Sequence, residues 1–210
     1  MPDSALRPEA ETRRWYEDNV REYGYDHRGL GFRTRGSQEK RFEALVQVGD
    51  LAGRRVLDVG CGFGDFLAFM IGRGIRPVYT GLDICAPMIV RCHERFPVSD
   101  GIFAVGDVLR YEPLAQYDFV VASGIFGFAA QGASERIYPT LERMFQWART
   151  GVAVNFLSAR AAAKAANRLY IDPREALDWG LSLAPAARID HTYLPNDFTL
   201  HLYKQPGWLE

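Results

Sequence analysis

The chain has 210 residues, of which 48% are apolar and 24% charged. That composition excludes wholesale disorder, because a disordered chain has too few apolar groups to offset the entropy of ordering, and at about 150 residues per domain the length fits one domain with a small elaboration. Lys and Arg total 25 against 26 Asp and Glu, so there is no basic field to gather phosphate backbones and nucleic acid is not expected as a partner.

The first residues stay polar and charged through Arg14, without the apolar run of a secretory signal, so the expected compartment is the cytoplasm. From about Glu9 to Gly49 polar residues dominate, with aromatics at Trp15, Tyr16, Tyr23, Tyr25, Phe32 and Phe42. This pattern predicts two helices around a bend at Gly29-Leu30-Gly31, an N-terminal helical cap over residues 1–50. Residues 1–55 hold 11 Lys or Arg and 10 Asp or Glu, which reads as a solvated helical surface.

From Arg55 onward short apolar runs alternate with segments of helical length. Val56–Val59, Val78–Leu82, Ile102–Val105, Phe119–Ala122 and Val152–Phe156 read as strands; Phe63–Arg73, Ala86–Phe96 and Ser134–Thr150 read as crossover helices. Such alternation predicts an α/β fold, a parallel sheet with helices on both faces. Arg188–Leu194 and Phe198–Lys204 alternate in polarity and are separated only by Pro195-Asn196-Asp197, too short for a parallel crossover. They predict an antiparallel hairpin, giving five parallel strands plus two within residues 51–210. The short Ala159–Ala166 stretch reads as helical. The longest mostly apolar run, Phe119–Ala130, has twelve residues, well short of the roughly 20 that span a bilayer, so no membrane association is expected.

Cys61, Cys85 and Cys92 form neither an even set nor a C-x-x-C, and read as reduced apolar fillers. His27, His93, His191 and His201 are scattered, so no metal site is expected.

The most informative segment is Val56–Phe66, a buried strand entering a glycine-rich turn and then a helix. Gly60, Gly62 and Gly64 let the backbone pass close under a ligand and present N–H groups at a helix start. The spacing is not that of G-x-G-x-x-G, and Asp58 stands two residues before Gly60. A carboxylate there repels a pyrophosphate and suits an ammonium or sulfonium group. Nineteen residues after Gly64 the second strand ends in Asp83, where such folds hold ribose hydroxyls. Gly106-Asp107-Val108 repeats the strand-then-acid arrangement and suits an adenine amino group.

This ordered set resembles the class I S-adenosylmethionine-dependent methyltransferases, over about Arg54 to Lys204. Ala122–Phe126, Asn155–Ser158, Ile171–Pro173 and Asp197–Lys204 are similar to small bacterial members of unassigned substrate. The resemblance implies a Rossmann-like, doubly wound seven-stranded sheet and S-adenosyl-L-methionine as cofactor. Asp58, Gly60, Cys61, Gly62 and Gly64 would form the glycine turn of its site. Asp83, Ile84 and Met88 would border the ribose, Gly106, Asp107 and Val108 the adenine, and Ser123 the end of the fourth strand. Arg33 is a candidate clamp for a carboxylate, since guanidinium forks suit one.

The implied reaction is in-line methyl transfer to an oxygen, nitrogen or carbon nucleophile of a small molecule. The family's Asp-Pro-Pro-Tyr motif is replaced by Ala122-Ser123-Gly124, which weighs against methylation of bases or glutamine. Tyr16, Phe126, Asn155 and Tyr170 are candidate substrate contacts, although aromatic rings more often serve packing. His191, Asp197 and Tyr23 are candidates for proton transfer, His191 because its ordinary pKa of about 6.5 suits a base. The alternatives are cyclisation or cleavage of the same cofactor and a non-enzymatic cofactor-binding module that docks a partner. Nothing in the sequence indicates the oligomeric state.

Overall fold

The computed structural model describes residues 8–32 and 34–206. Its centre is a seven-stranded sheet in the order β3-β2-β1-β4-β5-β7-β6. The strands are β1 Arg55–Val59, β2 Val78–Asp83, β3 Ile102–Val105, β4 Tyr117–Ala122, β5 Ala148–Leu157, β6 Ala186–Leu194 and β7 Asp197–Tyr203. β1 to β5 are mutually parallel, while β7 runs antiparallel to both β5 and β6. The parallel strands are those expected from the alternating runs, and the Rossmann-like order is the one the resemblance implies.

Among the described residues six α-helices accompany the sheet: α1 Pro8–Tyr23, α2 Arg35–Val46, α3 Asp65–Gly72, α4 Ala86–Arg95, α5 Ile137–Trp147 and α6 Pro173–Leu183. Because strand side chains alternate between faces, the near-continuous apolar strands feed two cores. Leu57, Val120, Val152 and Val154 pack with Ile137, Leu141 and Met144 of α5. Val56, Phe119, Val121 and Ala153 pack on the other face with Phe42, Phe66 and Ile89 of α2, α3 and α4. All three cysteines are free and buried. No helix among the described residues is long and apolar enough to cross a membrane.

Several boundaries differ from the sequence expectation. The helix expected over Ser134–Thr150 is a short 3-10 turn at Ser134–Arg136 followed by α5, which stops at Trp147 because β5 already begins at Ala148. Ala159–Ala166 is not helical. Its flanks are drawn into sheet-like pairing instead: Ala159 N donates to Ile171 O at 2.8 Å, and isolated bridges join Ser158 to Ile171 and Phe128 to Arg168. α6 was not anticipated, though its start carries a clear signal. Asp172 accepts from Arg174 N and Pro173 occupies the first turn.

Candidate active site

The order in which strands are added reverses between β1 and β4, which are parallel: connections after β1 run toward β2 and β3, those after β4 toward β5. A crevice opens at the carboxyl ends of the strands at such a switch point, and a cavity of about 140 Å³ lies there. Its floor is the turn after β1. Gly60 N and Cys61 N both donate to Leu82 O, at 2.7 and 3.1 Å, tying the turn to β2. Gly60 and Gly62 have φ of 74° and 56°, a left-handed region that glycine enters without strain. A Cβ on Gly60 would stand 2.2 Å from Ile125 Cγ2, and one on Gly62 2.7 Å from Leu30 Cδ2.

Three carboxylates face the crevice from successive strand ends. Asp58 is buried, and Tyr79 Oη donates to its Oδ2 at 2.6 Å. Burial pushes its carboxyl up to about 7, against the lowering effect of the Tyr79 bond. Asp83 Oδ2 accepts from Gly62 N and Oδ1 from Cys85 N, both at 2.8 Å. Burial raises this carboxyl too, and the backbone donors oppose the rise. Asp107 accepts from Leu109 N at 2.9 Å and from Arg136.

The cap forms the other wall. Glu9, Thr12 and Tyr16 of α1 line the cavity, joined by Leu30 and Phe32 from the following loop and Gln38 and Phe42 from α2. Trp15 stacks on Phe128 with ring centroids 4.8 Å apart. Arg168 lies over Trp15 and donates to Gly31 O at 2.9 Å, so α1, the loop and the strand ends are clasped together. Tyr16 Oη reaches Gly124 O at 3.5 Å, and burial raises this phenol to about 12.

Many expected site residues converge on this cavity. Asp58, Gly60, Cys61, Gly62, Asp83 and Ile84 line it. So do Met88, Gly106, Asp107, Val108 and Ser123, and from the substrate candidates Tyr16 and Phe126. Gly64 is set back from the walls as the N-cap of α3, with φ of 74°. Arg33 lies outside the described residues.

Other candidates are corrected by their positions. Asp197 does not form the hairpin turn; it opens β7, is buried, and forms an ion pair with Arg41 Nη2 at 2.8 Å. Tyr193 Oη donates to its other oxygen at 2.6 Å, so its lone pairs are spoken for away from the cavity. His191 packs edge-on to Phe198 outside the cavity walls. Tyr23, at the end of α1, is 38% exposed and does not line the cavity. Asn155 is buried in β5 and donates to Thr199 Oγ1 at 3.1 Å. Tyr170 Oη accepts from Ala165 N at 2.9 Å and holds its own loop.

Glu9, Gln38, Asp65 and Arg136 line the cavity without having been singled out from the sequence. The first-turn position of Asp65, directly after Gly64, was the available signal for one of them. Arg136 carried none, because its partners lie 29 and 127 residues away.

The donor set suits S-adenosylmethionine. A side chain at Gly60 or Gly62 would fill the cradle, and the carboxylates match a cation, a diol and an amino group. Comparison with known proteins agrees. Residues 56–151 match the family described as "Methyltransferase domain". The chain is 32% identical over 84 residues to trans-aconitate 2-methyltransferase of Rhodopseudomonas palustris, covering 40% of this chain and 32% of that protein. It is 33% identical over 106 residues to fatty-acid O-methyltransferase of Mycolicibacterium smegmatis, covering 46% and 38%. The chain thus spans about a third of the length of these curated relatives.

Among solved structures, magnesium protoporphyrin IX methyltransferase of Synechocystis with bound S-adenosylmethionine superposes with a TM-score of 0.69 at 14% identity, covering 97% of this chain and all of that one. A DhpI–S-adenosylmethionine complex gives 0.70 at 15% identity with the same coverage. Strand order, the glycine turn with its succession of acids, and the match over residues 56–151 make this chain similar to the class I S-adenosylmethionine-dependent methyltransferases.

Proposed function

We propose that this chain transfers a methyl group from S-adenosylmethionine to a nucleophile of a small molecule. The observation that carries the reading is the convergence of Asp58, Asp83 and Asp107 with the Gly60–Gly62 turn on one crevice at the switch point of the sheet. When bound, the cofactor supplies a methyl on a positively charged sulfur, an electrophile that needs no further activation. Asp58 offsets that positive charge, Asp83 holds the ribose hydroxyls and Asp107 receives the adenine amino group.

The cap excludes water and fixes the acceptor in line with the methyl, and such positioning supplies up to about 7–11 kcal/mol of barrier lowering without an acid or base. The chain's other residues therefore bind and orient. Phe32, Ile125 and Phe126 offer apolar faces for the acceptor, and Ser123 offers a hydroxyl at the end of β4. Residues 1–50 serve as the cap and residues 51–210 as the cofactor-binding domain.

The test is calorimetric titration of S-adenosylmethionine and S-adenosylhomocysteine, followed by mass spectrometry of the cofactor incubated alone with the protein. Both compounds are expected to bind and the cofactor to stay intact. Asp83→Ala is expected to weaken binding by about 1.5–3 kcal/mol through lost charge-assisted hydrogen bonds. Absence of binding would sink the reading, and breakdown of the cofactor without an acceptor would replace it with cofactor cleavage or cyclisation.

A further inference from the structure

Most of the charged groups that face the cavity are carboxylates. Among the described residues its walls carry five carboxylates, Glu9, Asp58, Asp65, Asp83 and Asp107, and one cation, Arg136. Arg136 is already committed: it donates to both oxygens of Asp107 and to Glu9. No lysine or histidine lines the cavity among the described residues.

Nearby arginines are turned elsewhere. Arg41 lies under the ring of Phe32 and pairs with Asp197 on the far side. Arg95 donates to Asp65 and to Phe63 O. Arg168 is occupied by Gly31 O and the face of Trp15. Glu9 is paired with Arg110 and Arg136 and Asp65 with Arg95, so an anionic acceptor placed beside the cofactor would lose its hydration and find no free cation among the described residues.

Asp58, Asp83 and Asp107 are allotted to the cofactor, and the remaining polar wall includes Gln38 and the hydroxyl of Ser123. Gln38 is buried and its Nε2 donates to Asp65 Oδ2 at 3.2 Å, which leaves its amide oxygen as an acceptor. Ser123 Oγ is buried on the wall with no partner among the described residues. The sides between them are the apolar Phe32, Ile125 and Phe126.

Resting on the methyl-transfer reading above, we infer that the acceptor is an amine, a compact apolar body carrying one basic nitrogen, and not a carboxylate. This separates the chain from relatives named for acids, such as trans-aconitate and fatty-acid methyltransferases. The amine arrives as an ammonium drawn by the acidic walls and sheds one proton to solvent. Its nitrogen lone pair then forms the N–C bond to the methyl as the C–S bond breaks. That bonding pair stays on sulfur, giving the neutral thioether S-adenosylhomocysteine and a methylated ammonium.

The experiment uses the full chain saturated with S-adenosylhomocysteine, titrated with matched pairs: phenethylamine against 3-phenylpropionate, and cyclohexylmethylamine against cyclohexanecarboxylate. Each amine is expected to bind at least roughly tenfold tighter than its acid, and with S-adenosylmethionine in place of the product only the amines gain a methyl by mass. Asp65→Asn removes one wall charge and releases Arg95, and is expected to lower the amine-to-acid ratio about threefold. Equal or tighter binding of the acids, formation of a methyl ester, an unchanged ratio in Asp65→Asn, or no binding by either series to a protein that holds S-adenosylhomocysteine would each overturn the amine assignment. Failure to bind S-adenosylhomocysteine is a separate outcome, which removes the methyl-transfer reading and the amine assignment with it.

Discussion

Arg136 Nη2 donates to both carboxylate oxygens of Asp107, at 2.7 and 2.8 Å, while Nη1 of the same guanidinium reaches Glu9 Oε2 at 3.3 Å. One side chain from the turn before α5 thus joins the acid at the end of β3 to the first turn of the cap helix α1. The acid proposed to receive adenine and the cap helix share one guanidinium.

Cofactor retention should therefore depend on this link. Arg136→Ala and Glu9→Gln are each expected to speed dissociation of S-adenosylhomocysteine by about three- to tenfold, since loss of a charge-pair partner acts mainly on the off-rate. Their double mutant should show a coupling of about 1 kcal/mol. Stopped-flow tryptophan fluorescence measures this, and strictly additive effects would mean that the cap and the adenine site act independently.

Asp58 is expected to link cofactor affinity to pH. Its carboxyl is raised to about 7 by burial, so below that pH the free protein holds a proton there. A bound cation favours the ionised form, lowers this pKa and expels the proton. Affinity for S-adenosylmethionine is expected to rise from pH 6 to pH 8, by up to roughly tenfold per pH unit on the acid side. The same raised pKa makes the group's contribution to the stability of the free fold greatest below about pH 4 and lost as pH climbs through 7. Calorimetry in buffers of different ionisation enthalpy reads the released proton, and Asp58→Asn should abolish the pH slope.

His201 acts in the opposite direction. It is buried in β7 against α2, its Nε2 lies 3.0 Å from Ala44 O, and burial lowers its pKa to about 4. The folded state keeps the ring neutral while the unfolded chain takes up a proton below about pH 6.5. Stability is thus fully present above that pH and lost as pH falls from 6.5 toward 4, by on the order of 3 kcal/mol. Urea unfolding at pH 7.5, 5.5 and 4.5 measures it. His201→Gln, which cannot titrate, is expected to flatten the curve over this window.

The Arg41–Asp197 pair has side chains only 8% and 2% exposed. Removing one partner leaves an uncompensated buried charge, so Arg41→Ala or Asp197→Ala is expected to cost about 3–5 kcal/mol. The double variant Arg41→Met with Asp197→Leu should recover most of that loss. Equilibrium denaturation checks both statements, and single variants costing no more than a surface pair would show that water reaches the site.

The glycine turn was legible along the chain because its chemistry is local. Gly60 and Gly62 need no distant partner to mark a close approach, and Asp58, Asp83 and Asp107 each stand at a fixed offset from an apolar run. Asp197 was not legible. Its place after Pro195-Asn196 suggests a turn, and only the register of β7 turns it inward to meet Arg41, 156 residues earlier.

Periodicity and spacing by themselves determined the layered α/β architecture, the strand that enters the glycine turn and the order of the acids, since these follow from backbone geometry and near neighbours. The tertiary structure alone decided how the cap lies on the crevice, that Arg136 is consumed by Asp107 and Glu9, and that the cavity presents carboxylates with no free cation among the described residues. Those features depend on packing between segments far apart in the chain. The sign of the cavity's charge belongs to that second group, because a near-neutral sequence can still fold its cations outward and its acids in.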